Sequence, residues 1–309
     1  MKLVESPVYY IIGDVHGQYH RLLRRLKSVG LKTENGKFSF DTGRILFLGD
    51  LLDRGPDARK VVELAKQLHE AGIADVILGN HEFNFLGYLS RLDKRSYLRR
   101  HTLKNLRQHR ATLKSYKGHK NDLEAHLSWL KSLPLFFEND SFRAVHACWD
   151  PKWIKWLTTK YPDGLRNERF FSNSYKAGKK SFFCIERVLK GPELNLPEEY
   201  ASVDSDGNTR SGMRYKWWQK NKGKALKEVT TKWNSKWPNK PFSTSFENRS
   251  LSYSKKEKPL FIGHYNFSNH PEFNNDNFLC LDCSDKEGNR VLIYRHEIGN
   301  PISMKNLIF

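Results

Sequence analysis

The residues able to do chemistry in this chain come in short strings, each directly behind an apolar run. Val8-Tyr9-Tyr10-Ile11-Ile12 leads into Gly13-Asp14-Val15-His16-Gly17, and Ile45-Leu46-Phe47-Leu48 leads into Gly49-Asp50-Leu51-Leu52-Asp53-Arg54-Gly55. Val76-Ile77-Leu78 is followed by Gly79-Asn80-His81-Glu82, Phe142-Arg143-Ala144-Val145 by His146, and Leu260-Phe261-Ile262 by Gly263-His264. Five distant segments thus supply Asp14, His16, Asp50, Asn80, His146 and His264. Mixed oxygen and imidazole donors suit Mn, Fe or Zn better than Mg or Ca. Six ligands on one ion would leave no position for water and substrate, whereas two ions sharing a bridging carboxylate would.

Those strings need elements that bring them together. The five apolar runs read as buried strands, and the segments between the first three carry helical spacing. Tyr19–Val29 places Leu22, Leu23 and Leu26 on one face, and about Asp57 to Ala71 carries Val61, Val62, Leu64, Ala65 and Leu68. This βαβαβα order predicts an α/β core in which right-handed crossovers cover a mostly parallel sheet. Carboxyl ends of parallel strands lie along one edge, where ligands bind, so all five strings are expected at a single edge. Asp14 and His16, two apart on an extended backbone, point to the same side.

With the motifs in this order, the chain resembles the calcineurin-like metallophosphoesterases, in particular the branch containing the phosphoprotein phosphatases. The family signatures GDxHG, GDxxDRG and GNHE are matched by GDVHG, GDLLDRG and GNHE, with two later histidine segments. The resemblance implies a sandwich of central β-sheets flanked by helices and a phosphatase with two divalent metals, Mn first, Fe or Zn next. It implies that Asp14 and His16 hold one metal, Asn80, His146 and His264 the other, and that Asp50 bridges them. By the same resemblance His81 is the general acid, Asp53 orients it, and Arg54 clamps the phosphate. Two such cations lower the pKa of a bridging water and supply hydroxide for in-line attack on phosphorus. Glu82 is expected to hold its loop, and His20, His101, His109, His119 and His270 to be surface residues. The fourth string, His146-Ala147-Cys148-Trp149, departs from the His-Gly-Gly of the Ser/Thr protein phosphatases. It is closer to the His-Ala-Gly of bacterial diadenosine tetraphosphatases.

Composition bounds the partners. Lys+Arg number 53 against 34 Asp+Glu, a formal charge of +19, with 38% hydrophobic and 13% aromatic residues. That excludes a collagen-like, membrane-spanning or wholly disordered chain. Arg91 to Lys120 holds eleven Lys/Arg and one acid, and Arg214 to Lys258 thirteen against three. The chain therefore reads as one domain over 1–309, with a basic helical insertion at 91–132 and a basic, Trp-containing lid at 195–258. Arg214, with Arg210 as an alternative, is a candidate second phosphate contact.

Such a field concentrates polyanions, and Trp217, Trp218, Trp233 and Trp237 beside it resemble a single-stranded nucleic-acid groove. The expected partner is thus a phosphorylated substrate, either a phosphoprotein or a small phosphoester. Nucleotide polyphosphate and nucleic acid are alternatives, and no membrane is involved. The competing functions are a dinucleoside polyphosphate hydrolase, a nucleic-acid-end phosphatase, and a spent scaffold that only binds nucleic acid.

Trp149, Trp153 and Trp156 are expected to share a face, packing in the core rather than stacking bases. Asp150 reads as the N-cap of their helix, with Pro151 at its first position. Four cysteines make no disulfide framework and the N-terminus does not read as a secretory signal, so a cytoplasmic location is expected. Cys280-x-x-Cys283 reads as part of a strand.

Overall fold

The computed structural model describes residues 7–195, 202–203, 209–210, 212–232, 251–274, 277–285 and 288–309. Ten strands build two five-stranded sheets. In the first, β1 (Val8–Ile12), β2 (Arg44–Phe47) and β3 (Ala74–Val76) run parallel, and β9 (Ile293–Glu297) and β10 (Leu307–Ile308) add antiparallel on the far side of β1. In the second, β5 (Arg143–Val145), β6 (Leu260–Ile262) and β8 (Phe278–Cys280) run parallel. They are edged antiparallel by β4 (Phe136–Glu138) and β7 (Glu272–Phe273).

Alternation along the strands shows how the sheets face each other. Tyr9 and Ile11 of β1 share a core cluster with Leu46, Phe142, Ala144, Phe261, Leu279 and Tyr294. Tyr9 meets Phe142 edge-on at 4.8 Å. The intervening residues Val8, Tyr10 and Ile12 join the other cluster with Leu22 and Leu26 of α1 (Tyr19–Ser28) and Val61, Val62 and Leu68 of α2 (Ala58–Glu70). The fold is the expected α/β sandwich of central sheets between helices, with two parallel trios rather than one sheet. The third apolar run pairs as a strand only over Ala74–Val76. Beyond it Ile77 donates to the Phe47 carbonyl and Leu78 to the Pro134 carbonyl, which delivers Gly79 to the edge.

The remaining helices needed below are α3 (Asn80–Leu89), α4 (Leu103–Ser115), α5 (Lys120–Ser132), α6 (Pro151–Lys160), α7 (Glu168–Asn173) and α8 (Lys180–Ile185). Asp150 caps α6 by accepting from the Lys152 N–H, with Pro151 in the first turn, as read from the sequence. The three indoles nearby do not share a face: Trp149 packs inward, edge-on to Phe136, while Trp153 and Trp156 remain half-buried on α6. Trp217 and Trp218 are fully buried in the described part of the 195–258 segment. Trp218 stacks on Phe278 and Trp217 donates its indole N–H to the Ala147 carbonyl. They are core, and the expectation that they line a nucleic-acid groove is corrected accordingly. Trp233 and Trp237 lie outside the described residues, as does nearly half of the expected lid. No described helix is long and apolar enough to cross a membrane.

Candidate metal centre

The loops behind β1 and β2 are tied to each other before any ligand is considered. The N–H groups of Val15 and His16 both donate to the Asp50 carbonyl, at 3.0 and 2.8 Å, and the Gly263 N–H donates to the His146 carbonyl at 2.9 Å. Glu82, fully buried at the start of α3, is the knot. Its Oε2 accepts from the Asp50 and Gly79 N–H groups at 2.8 and 3.0 Å, and its Oε1 from Leu52 at 3.0 Å. Burial and the Asp50 carboxylate push it up to about 7. Glu82 holds the loop, as read from the sequence. Gly79 is required here, because a Cβ there would overlap the Asp50 backbone and carboxylate.

These contacts set unusual backbone at the site. His16, Asp50, Asp53, Arg54 and His264 all have positive φ, between 46° and 74°. Side chains with a Cβ rarely sit there, and such strain persists only where surrounding contacts impose it.

Asp14, His16, Asp50, Asn80, His146 and His264 converge, all buried. His16 donates its Nδ1–H to the Leu52 carbonyl at 2.9 Å, and His146 its Nδ1–H to Leu48 at 2.8 Å. A carbonyl can only accept, so each ring carries a proton on Nδ1 and turns Nε2 toward the cluster. The Nε2 of His16 has no hydrogen-bond partner, yet faces Asp14 Oδ2 at 3.8 Å and Asp50 Oδ2 at 3.7 Å. His146 Nε2 lies 3.3 Å from Asp50 Oδ1 and 3.0 Å from Asn80 Oδ1, and His264 Nδ1 2.6 Å from the same Asn80 oxygen. Burial, with Arg54 next in weight, pushes His16 well below the usual histidine range; burial and Arg214 do the same to His264. The neutral His16 ring, its bare Nε2 aimed at two carboxylate oxygens, is repelled by them unless a cation stands between, whereas the Asp50 carboxylate raises the pKa of His146. Asp50, whose two oxygens face His16 on one side and His146 on the other, has the position of a bridge. Two ligand groups, His16–Asp50–His81 and Asp50–His146–His264, each gather their donor atoms within 4.8 Å. The donor set therefore fits two divalent cations, with imidazoles oriented through their other nitrogen as metal-binding histidines usually are.

Beside this cluster lies a hydrogen-bonded His81–Asp53 pair. The His81 N–H donates to Asp50 Oδ1 at 3.0 Å, and His81 Nδ1 donates to Asp53 Oδ2 at 2.6 Å. Its Nε2 is 3.8 Å from Asp50 Oδ2, on the cluster side. Burial alone would lower His81, but the Asp50 and Asp53 carboxylates outweigh it and raise its pKa. Burial likewise opposes ionisation of Asp53, and hydrogen bonds from His109 and His81 override it and hold the carboxyl far below its usual range.

His109 overturns the surface assignment made from the sequence. It is fully buried on α4 and donates from Nδ1 to Asp53 at 3.0 Å, while Thr112 Oγ1 donates to Asp53 Oδ1 at 2.6 Å and accepts from the Asp53 N–H at 2.9 Å. Surrounding charge hid it: every charged residue of α4 is Lys or Arg, and only the i, i+3 spacing of His109 and Thr112 marks an inward face. Asp282 was also passed over, as part of Cys280-x-x-Cys283. It follows β8 as Asp14 follows β1, is buried, accepts from the Asn266 N–H at 2.7 Å, and shares a hydrogen bond with Asp14. Burial and the Asp282 and Asp50 charges push Asp14 well up. The strand-end pattern that picked out the other residues points to it equally.

The arginines approach from outside. Arg54 is exposed on its strained turn, and its charge acts on Asp14, His16, His81 and Asp282 alike. Arg214 pairs with Glu193 at 3.3 Å and reaches the His264 carbonyl at 3.5 Å. The Arg210 side chain lies outside the described residues.

The chain is similar to the symmetrical bis(5′-nucleosyl)-tetraphosphatase of Vibrio parahaemolyticus, 31% identical over 144 residues, 47% of this chain and 46% of that protein. It is 44% identical over 72 residues to the asymmetrical bis(5′-nucleosyl)-tetraphosphatase of Oceanobacillus iheyensis, covering 23% of this chain and 29% of that one. The chain thus spans about half the length, or less, of the curated relatives it matches. Among solved structures it is similar to a cold-active protein tyrosine phosphatase of Shewanella, with a TM-score of 0.47, 17% identity, and coverage of 94% and 75%. The family model for calcineurin-like phosphoesterases matches residues 8–265, spanning every site residue above except Asp282. The chain belongs to the calcineurin-like phosphoesterases, a family of metal-dependent hydrolases of phosphoester bonds.

Proposed function

We propose that this chain hydrolyses phosphate esters at a two-metal centre held by Asp14, His16, Asp50, Asn80, His146 and His264. The observation that carries the reading is the bare Nε2 of His16, buried and facing two carboxylates with no hydrogen-bond donor between them. When bound, two divalent cations supply an acidified water and neutralise phosphate charge; the oxygen and imidazole donors favour Mn²⁺, with Fe or Zn as alternatives.

The protein's own part is positioning and proton transfer. Arg54 presents a planar fork for two phosphate oxygens. His81, its Nδ1–H fixed on Asp53, keeps Nε2 toward the cluster, and the Asp50 and Asp53 carboxylates favour its protonated form. It therefore delivers a proton to the departing ester oxygen. Asp53 fixes the ring and favours its charged form.

Phosphomonoesters are the first substrate class, whether on a protein or a small molecule. A second reading, dinucleoside polyphosphates, is supported by the activity for which both relatives are named and by Arg214 at the His264 side, a position from which it holds a further phosphate. The four buried cysteines form no disulfide among the described residues, which suits a reducing cytoplasm.

The test is phosphate release by chelated protein reloaded with Mn²⁺. It is run on a phosphopeptide, a phosphate-ended RNA, a dinucleoside tetraphosphate with nucleotide products followed, and a generic aryl phosphate. Turnover that requires metal and disappears in Asp50→Asn is expected. Failure on all four substrates with two Mn²⁺ bound per chain would overturn the proposal.

A further inference from the structure

Away from the metal centre, α6 and the first residue of α8 enclose an open groove of about 270 Å³, lined by Lys152, Trp153, Lys155, Trp156, Lys160 and Lys180, with Thr159. None of the residues that converge on Asp50 lines it. The two indoles meet edge-on, centroids 5.7 Å apart and planes at 88°, forming two walls of a corner. Trp156 is braced from behind by Tyr161 at 5.1 Å and Phe170 at 6.1 Å, so its ring is fixed before anything binds. Lys152 Nζ lies 5.6 Å over the Trp153 ring and Lys180 Nζ 4.9 Å over that of Trp156.

All four lysines are exposed and, among the described residues, none forms an ion pair, although many other lysines of the chain do. No acidic side chain lines the groove. Lys160 lies eight positions after Lys152 on α6, about 12 Å of helix, a length over which a nucleic-acid strand presents several phosphates.

From these features we propose that the α6–α8 groove binds single-stranded nucleic acid, stacking a base in the Trp153–Trp156 corner and placing the flanking phosphates among the four lysines. Planar apolar walls with lysine ammonium groups beside them match a base bearing a phosphate, and stacking accepts any base. A bilayer would require indoles projecting from a convex surface; these are half-buried in a recess. The proposal is independent of the chemistry assigned to the metal centre.

The experiment is fluorescence anisotropy of a labelled oligouridylate with hydroxyl ends, which offers the metal centre no terminal phosphate, titrated with the full chain across a salt series. Groove variants are Trp153→Ala and, in case that one misfolds, the exposed pair Lys155→Glu/Lys160→Glu. The control is Lys104→Glu/Arg107→Glu on the exposed side of α4. Each groove variant is expected to weaken binding about tenfold or more. The lysine pair should also flatten the slope of log K against log salt by about 1.4, at about 0.7 per phosphate contact. The control should leave both nearly unchanged. Three results would overturn the proposal: no binding by the intact chain, equal weakening by the control pair, or retention of phosphatidylserine vesicles through these residues without oligonucleotide binding.

Discussion

Asp53 uses both of its oxygens on side chains from two helices: His81 at the start of α3, and His109 and Thr112 on α4. Only the first was anticipated. A carboxylate held by three donors has little freedom to swing, so the His81 ring it orients is fixed as well. His109 touches neither substrate nor metal in this reading; it is a positioning residue acting through Asp53. Replacing His109 by Ala leaves Asp53 two side-chain partners and a gap beside it. The expected result is a fall in kcat of about tenfold, the usual scale for removing an outer partner of a site residue. KM should stay unchanged because Arg54 is untouched, and the protein should still bind two Mn²⁺. His109→Asn, whose amide can donate near the former Nδ1 position, should recover most of the loss. A fall in bound metal parallel to kcat would show instead that α4 supports the whole centre. Equal kcat in all three proteins would remove His109 from the mechanism.

At the scale of elements, the sandwich is assembled so that loops meet loops. The strand ends were legible because each carries the same punctuation, an apolar run and then a glycine or histidine, and no helix pattern imitates that. Glu82 was legible as a loop holder, and the structure gives it three backbone donors from two loops. Glu82→Ala strips all three N–H groups of their acceptor inside the core, where each unsatisfied donor costs about 1–3 kcal/mol. The folded protein should lose at least about 3 kcal/mol, measured as a drop in urea midpoint with the slope unchanged. Glu82→Gln, which keeps one carbonyl oxygen, should lose less; equal losses would mean that space rather than hydrogen bonding is at issue.

What the sequence concealed has physical reasons as well. The positive φ of Asp50, Asp53 and Arg54 is imposed by contacts with other loops, and nothing local announces it. The inward turn of Trp217 and Trp218 depends on Phe278, some sixty residues later in the chain. Trp149 and Trp153 look alike in the sequence, but one precedes the helix and packs on β4 while the other rides on α6 beside solvent.

At the scale of the whole molecule, the layer between the two sheets is built mainly of apolar side chains. His296 of β9 lies buried there against Phe142, Phe261 and Tyr294, and neither ring nitrogen has a hydrogen-bond partner. Burial lowers its pKa from 6.5 to about 4. In the unfolded chain the ring takes its proton near 6.5, so below that pH the unfolded state binds more protons and gains on the folded one. Stability therefore declines as pH falls from about 6.5 toward 4, and levels off for this group below about 4. The decline attributable to His296 amounts to about 3 kcal/mol by pH 4. His16 and His264 are also held neutral and act in the same direction, while the +19 charge adds repulsion that salt screens. A comparison with His296→Leu in chelated protein at constant ionic strength cancels those shared contributions. The Leu variant should gain on the parent by about 3 kcal/mol between pH 7 and pH 4, whatever its stability at neutral pH. Parallel pH curves for the two proteins would mean that the ring accepts its proton without leaving the sandwich, and that the layer between the sheets is open to water.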